Sequence, residues 1–443
     1  MLDHLSTHLN VPLSIVLIGL IFVLKRLYFH PLSKFPGPTL PSLSSFYQFY
    51  IFWTRREGDW YSELHEKYDH AAAKRRFGHA YSLPRVRTLE SAFDDQIAKF
   101  ISNLSVAANE TPVVNVGLWI MYFSFDIITA VALGTPVGFM DAKGDVRDLI
   151  ANMEETAGFQ QRLSLYPPIG AFARNNPLGR RLFVSTVDDQ RGLGKFMAEI
   201  RTVVEQRQSG SGKPQYANSL LDQWLASAGT DGQGIPRQEI EDELLMGMMA
   251  GPDSIALMTT NLIFLIANDP SVFSRAQAEI DNAYTQGRLS GPVPTYDECR
   301  NLPFVTACVN EGLRYIASTF PRRRSSTRPL LLDGKYVPAG TSISSSAASI
   351  GRHPAIYGDQ ADQFLPDRWL DASPEQLQEW ARLDVHWGVG VRKCLGKHVG
   401  LMALYKTIIM LIRAFDLRLE ASTSINRWSY PSSEKLLITQ RIN

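Results

Sequence analysis

The ten residues WGVGVRKCLG (387–396) place one cysteine, Cys394, among three glycines, an arginine and a lysine. Cys299 and Cys308, the other two cysteines, lie far from it in sequence, so Cys394 is neither half of a local disulfide nor half of a CxxC metal pair. A thiolate is a soft, strong donor that can ligate haem iron and push electron density onto it. Its buried charge needs backbone N–H groups and positive potential. Gly390 and Gly396 permit the tight turn and the close approach of a flat macrocycle, and the N-terminus of the following helix adds the potential. Arg392, two residues before the sulfur, could pair with a haem propionate. Three further stretches carry candidate chemistry. Glu311 and Arg314 share a helix face at i and i+3, and Arg368 in FLPDRW (364–369) could close a triad with them. In AGPDS (250–254) an acid, Asp253, and an alcohol, Ser254, stand beside a glycine and a proline, where a local opening could hold water and relay protons.

The elements that must position these residues are mostly helical. The stretch 239–269 is apolar nearly all round and stops at Asp269-Pro270, so it belongs in the middle of a large domain. Inside it, glycine and proline cost roughly 1 and 3 kcal/mol relative to alanine. Pro252 also removes a backbone donor, so a kink is expected there. A second helix is expected over 305–316 and a third over 397–415, starting just after the cysteine loop. Between them LLLDGKYVPAGTSISSS (330–346) reads as short strands with a turn at Asp333-Gly334. The loops 207–215 and 227–236 are rich in glycine and polar residues. The fold class is therefore mainly α, of the α+β kind with small sheets.

Composition narrows the setting. The chain has 443 residues, 20% of them charged, with a net charge near +1, which is ordinary globular composition and argues against nucleic-acid binding; a monomer is expected. Three cysteines make no disulfide framework and suit a reducing compartment. The apolar run VPLSIVLIGLIFVL (11–24) is followed at once by Lys25 and Arg26, and no cation precedes it, so residues 1–28 read as a signal anchor with the body in the cytosol. Residues 29–45, with FPGPTLPS (35–42), read as a stiff proline-rich hinge, and 46–443 as the catalytic domain.

Taken in this order and spacing, the stretches resemble the cytochrome P-450 family, and within it the membrane-bound enzymes of fungal specialised metabolism; TFPRRRSST and VPAGT add to the likeness. The resemblance implies the cytochrome P-450 fold, with a long kinked helix over haem b, small β-sheets and an N-terminal anchor. It implies Cys394 as iron ligand, Glu311, Arg314 and Arg368 as the buried triad behind the cysteine loop, and Asp253 and Ser254 as the proton-delivering acid and alcohol. Arg392 would bind one propionate. Arg324, fourteen residues before Pro338, is a second candidate, with Arg322 and Arg323 as rivals. In HAAAKRRFGHAYS (70–82), where the family has Trp-x-x-x-Arg, His70 and Lys74 stand at those positions, so Lys74 is the remaining cofactor-binding candidate.

Three departures stand out. Trp387 replaces the usual Phe over the sulfur, and Ser254 replaces the usual Thr. The interval from Pro41 to His70 is about thirty residues where the family carries roughly ninety, with the join near residues 68–70. The missing part would hold the first strands of the main sheet, leaving TSISSS (341–346) without sheet neighbours. A skipped exon, a mis-called intron and a natural truncation all fit that gap.

The function so implied is a single-pass enzyme of the endoplasmic reticulum membrane that uses O2, and NADPH through a reductase, to insert one oxygen atom into an apolar small molecule. Substrate would lie near Met246, Ala250 and Gly251, and Lys393, Lys397 and His398 could meet the acidic reductase. Two other outcomes stay open: a truncated, inactive haem protein, and oxidative coupling or dehydration without oxygen insertion.

Overall fold

A computed structural model describes residues 76–153, 185–189, 192–227, 234–316, 322–325, 329–339, 341–388, 393–419 and 435–441. The anchor (1–28), the hinge (29–45) and the join near 68–70 lie outside the described residues. Along the chain the principal helices are α1 (Glu90–Glu110), α2 (Val116–Leu133), α3 (Gly192–Gln208), α4 (Arg237–Asn268), α5 (Pro270–Thr285), α6 (Pro303–Tyr315), α7 (Pro374–Leu383) and α8 (Lys397–Ala414). The strands are β1 (Val113–Val114), β2 (Arg322–Ser325), β3 (Leu330–Leu332), β4 (Lys335–Val337), β5 (Ser342–Ser345), β6 (Phe415–Leu419) and β7 (Leu436–Gln440). The chain divides into two compact units, one holding β2 to β5 and the other holding the helices with β1, β6 and β7.

The larger unit is built around α2 and α4. Asn115 caps α2 by accepting a hydrogen bond from the Leu118 N–H, and sixteen of its eighteen residues are buried. Gly134 ends it with φ +78, where an added Cβ would come 2.6 Å from the Tyr216 carbonyl oxygen. No β-carbon fits that left-handed corner. The partner helix α4 lies against α2 so closely that a Cβ on Gly251 would sit 2.9 Å from Ile128 Cδ1. Glycine at 251 therefore serves helix packing. Both helices are long and apolar enough to cross a membrane, yet 89% and 67% of their apolar windows are buried in protein. α4 ends where expected, because the Asp269 carboxylate accepts from Ser271 and Val272 N–H and starts α5.

α4 runs from Arg237 to Asn268 with Pro252 buried inside it, so the proline expected to kink the helix does not end it. Packing on both sides of the proline holds the flanking turns, so the loss of one donor is absorbed.

α8 starts at Gly396, with no side-chain cap, and runs into β6. β6 pairs with β7 and β7 with β1, all antiparallel. A fully buried lysine ties α8 to α1: Lys406 Nζ lies 2.5 Å from both Glu90 Oε1 and Asp94 Oδ1.

In the smaller unit, Asp333 (φ +50) and Gly334 (φ +69) both adopt the left-handed conformation that a two-residue hairpin turn demands, and β3 pairs with β4 across them. The expectation that TSISSS lacks any neighbour is corrected. β5 pairs antiparallel with β2, setting Arg324 opposite Ile343.

Candidate active site

Cys394 is the accessible cysteine. Cys299 and Cys308 are buried, and burial pushes the Cys299 thiol up to about 12 and the Cys308 thiol higher still, so both are inert apolar fillers. Cys394 is exposed, and its backbone N–H donates to the Trp387 carbonyl oxygen at 2.6 Å, closing the loop between them. The sulfur stands beside the start of α8: a Cβ on Gly396 would lie 4.0 Å from Sγ. Its N-cap residue is Gly396, which has no side chain to cap the first turn, and the positive end of the helix dipole lies beside the sulfur. Trp387 packs its ring against the same turn, where Gly400 would place a Cβ 3.5 Å from Cη2, and Lys397 Nζ lies 5.9 Å from the ring centroid. Burial and the Lys393 charge lower the Lys397 pKa; burial, Lys397 and Lys393 lower that of His398. Three basic side chains thus crowd one rim.

The Glu311 carboxylate gathers the cysteine-side meander. Arg314 donates from Nε to Glu311 Oε2 at 2.8 Å and from Nη2 to Oε1 at 2.6 Å. The Leu365 N–H and Trp369 Nε1 donate to the same carboxylate at 2.8 and 2.9 Å, and Arg368 Nε approaches Oε1 at 3.5 Å. Arg314 also donates to the carbonyls of Gly351, Ala361 and Gln363, and Arg368 to those of Tyr357 and Gln360. Two guanidiniums therefore knit three loop turns to α6, with Glu311 fully buried at the centre. The role of Trp369 was not singled out from sequence; the Arg-Trp pair of FLPDRW was its signal.

α4 carries the second group of candidate residues. Along α4, Ser254 is exposed, and Glu243, Met246, Gly247, Ala250 and Asp253 are half-buried, as are Asp242, Leu245 and Gly251. Ser254 Oγ donates to the Ala250 carbonyl oxygen at 2.6 Å, so its hydroxyl is held along the helix. At the start of α4, Arg76 makes a two-pronged ion pair with Glu239 at 2.6 and 2.5 Å. One turn on, Tyr81 Oη donates to Glu243 Oε1 at 3.4 Å. Burial pushes the Glu243 carboxyl up to about 7, and the Tyr81 bond offsets only part of that. Burial, Glu243 and the charge of Cys394 raise Tyr81 well above its ordinary value. Glu243 and Tyr81 have no distinguishing signal in the sequence, because Glu243 is one of four acids in EIEDE (239–243) and nothing along the chain links it to Tyr81.

Lys74, Gly390 and Arg392 lie outside the described residues. What is described fits a haem: an accessible cysteine sulfur, a potential thiolate donor, beside the N-terminus of a long apolar helix.

Comparison with known proteins agrees with that geometry. A family model described as Cytochrome P450 matches residues 53–440. The chain is similar to a cytochrome P450 monooxygenase, gsfF, of Penicillium aethiopicum, at 26% identity over 79% of this chain and 70% of that protein. It is also similar to the cytochrome P450 monooxygenase ABA1 of Pyricularia oryzae, at 28% identity over 84% and 73%. Quiannulatic acid synthase of Emericella variicolor matches at 29% identity over 73% of this chain and 65% of that protein.

Proposed function

The chain belongs to the cytochrome P450 family, and from that premise we propose that it is a haem-thiolate monooxygenase inserting one oxygen atom of O2 into an apolar small molecule. Electrons would come from NADPH through a reductase, and the substrate would be an intermediate of fungal specialised metabolism, as the named relatives suggest. The observation that carries this reading is the placement of Cys394, exposed beside the start of α8, while the other two cysteines are buried.

When bound, haem b would supply the redox chemistry of dioxygen activation. The residues of this chain do the rest. Cys394 would hold the iron as a thiolate, and the first-turn N–H groups of α8 would favour its negative charge. Gly390 and Gly396 would let the loop approach the ring, and Trp387 would shield the sulfur. Arg392, Lys74 and one of Arg322, Arg323 or Arg324 would hold the propionates. Glu311, Arg314 and Arg368 keep the preceding meander in register, which fixes where the sulfur points. Asp253 and Ser254 would carry protons inward; Ser254 Oγ must swing away from the Ala250 carbonyl to do so. Met246 and Ala250 would line the apolar substrate side, away from water. Lys393, Lys397 and His398 would form a cationic rim for an acidic reductase surface. Residues 1–28 would anchor the enzyme in the endoplasmic reticulum membrane, single-pass, with the catalytic domain cytosolic.

The test is Cys394→Ala. Wild-type protein should show the red-shifted absorption band of the reduced carbon monoxide complex, and the variant should lose it. A band that survives the substitution would sink the ligand assignment.

A further inference from the structure

We propose that Glu243 and Tyr81 form a polar anchor that binds a hydroxyl group on an otherwise apolar substrate. The proposal rests on the reading of this part of α4 as the substrate side and names what that side recognises.

The geometry separates this pair from the ion pair beside it. Arg76 and Glu239 neutralise each other at ordinary hydrogen-bond distance, which already ties the segment around residue 76 to α4. Tyr81 is held independently, its ring against Trp224 and its backbone neighbour Phe77 accepting from Trp224 Nε1. The Tyr81–Glu243 contact is therefore not needed to dock the segment. At 3.4 Å it also lies at the long end of hydrogen bonding, where a better-placed partner displaces it easily.

The carboxylate has room for such a partner. Among the described residues Tyr81 is the one group hydrogen-bonded to Glu243, and no cation is paired with it. Glu243 is half-buried, on the second turn of α4. Next to it, Gly247 carries no side chain, and a Cβ there would approach Tyr81 Oη at 3.6 Å. An acid left in a largely desolvated place without a counter-charge costs stability, which is the pattern of a group kept for a ligand.

Position sets the ligand class. Glu243, Gly247 and Ala250 follow one helix face, and seven residues from Glu243 to Ala250 span roughly 10 Å, the length of a small apolar molecule. Met246 and Ala250 offer hydrocarbon contact between the two ends. A ligand whose body covers these residues and whose hydroxyl donates to Glu243, while accepting from Tyr81, satisfies both polar groups at once. Neither group demands a charged ligand, since the acid is close to half protonated near neutral pH.

The experiment uses full-length haem-loaded protein and two probes, farnesol and farnesyl methyl ether, which differ in whether the oxygen can donate. Wild type should bind farnesol about tenfold more tightly, the factor expected of one buried hydrogen bond. Glu243→Gln keeps an acceptor and should keep the preference, whereas Glu243→Leu should bind the two probes alike. The reduced carbon monoxide band should be unchanged in both variants, so a loss of preference is separable from failure of the haem-thiolate reading. Equal affinities in wild type, no binding of farnesol, or a preference that persists in Glu243→Leu would each overturn the proposal.

Discussion

Glu243 shows how one side chain makes the molecule's stability depend on pH. Its carboxyl titrates near 7 when folded, well above its ordinary value of about 4.5, because burial disfavours the charge. The folded state thus prefers the protonated acid. That stability is fully present below about pH 4.5 and is lost as pH rises towards 7, where the buried carboxylate forms. Glutamine has no such charge to bury and can still accept from Tyr81. Glu243→Gln should therefore match wild type at pH 4.5 and exceed it above pH 7, by on the order of 1–3 kcal/mol. Denaturant midpoints measured across this range will show the gap opening; a pH-independent difference would mean that the acid is already solvated. Cys394 sits at the other extreme, accessible and beside a helix N-terminus, which is why three cysteines in one chain divide into two fillers and one candidate ligand.

Between elements, Lys406 is a buried tie. It is fully buried on α8 and lies between Glu90 and Asp94 of α1. Glu90 also accepts the Tyr296 N–H, so the lysine pins α8, α1 and the short helix at residue 296 together. Lys406→Met keeps the length of the side chain but leaves two carboxylates facing each other. The expected loss is on the order of 3–5 kcal/mol at neutral pH. Burial already raises the Asp94 pKa, and loss of the lysine raises it further, so the deficit should shrink as pH falls and the acid protonates. Urea unfolding at pH 5 and pH 8 tests this; equal deficits would place the lysine's contribution in packing instead of charge. The Glu311 network works differently, since its carbonyl acceptors come from loops. It orders backbone that has no regular structure of its own.

At the scale of the whole molecule, hydropathy alone misleads. α2 and α4 pass a membrane-span test by length and composition, yet both are interior helices of the larger unit. The membrane reading rests instead on residues 11–24 and the cations after them. Deleting residues 1–28 should move the protein from the membrane pellet to the supernatant after an alkaline carbonate wash. Retention in the pellet would show that other surfaces hold it there.

Local chemistry was legible in the sequence wherever a residue's role depends on its neighbours along the chain. The Asp333-Gly334 hairpin, the helix stop at Asp269-Pro270 and the Glu-x-x-Arg pair all follow from backbone geometry within a few residues. What spacing alone could not decide lies across long separations. Pro252 leaves α4 unbroken because packing from elsewhere holds both flanking turns. Gly251 turns out to face Ile128, and Trp369 joins a carboxylate fifty-eight positions away. Glu243 becomes distinctive only when Tyr81, 162 positions earlier, is laid against it. The physical reason is the same each time. Burial and desolvation are properties of a site assembled in space, and no run of residues carries them by itself.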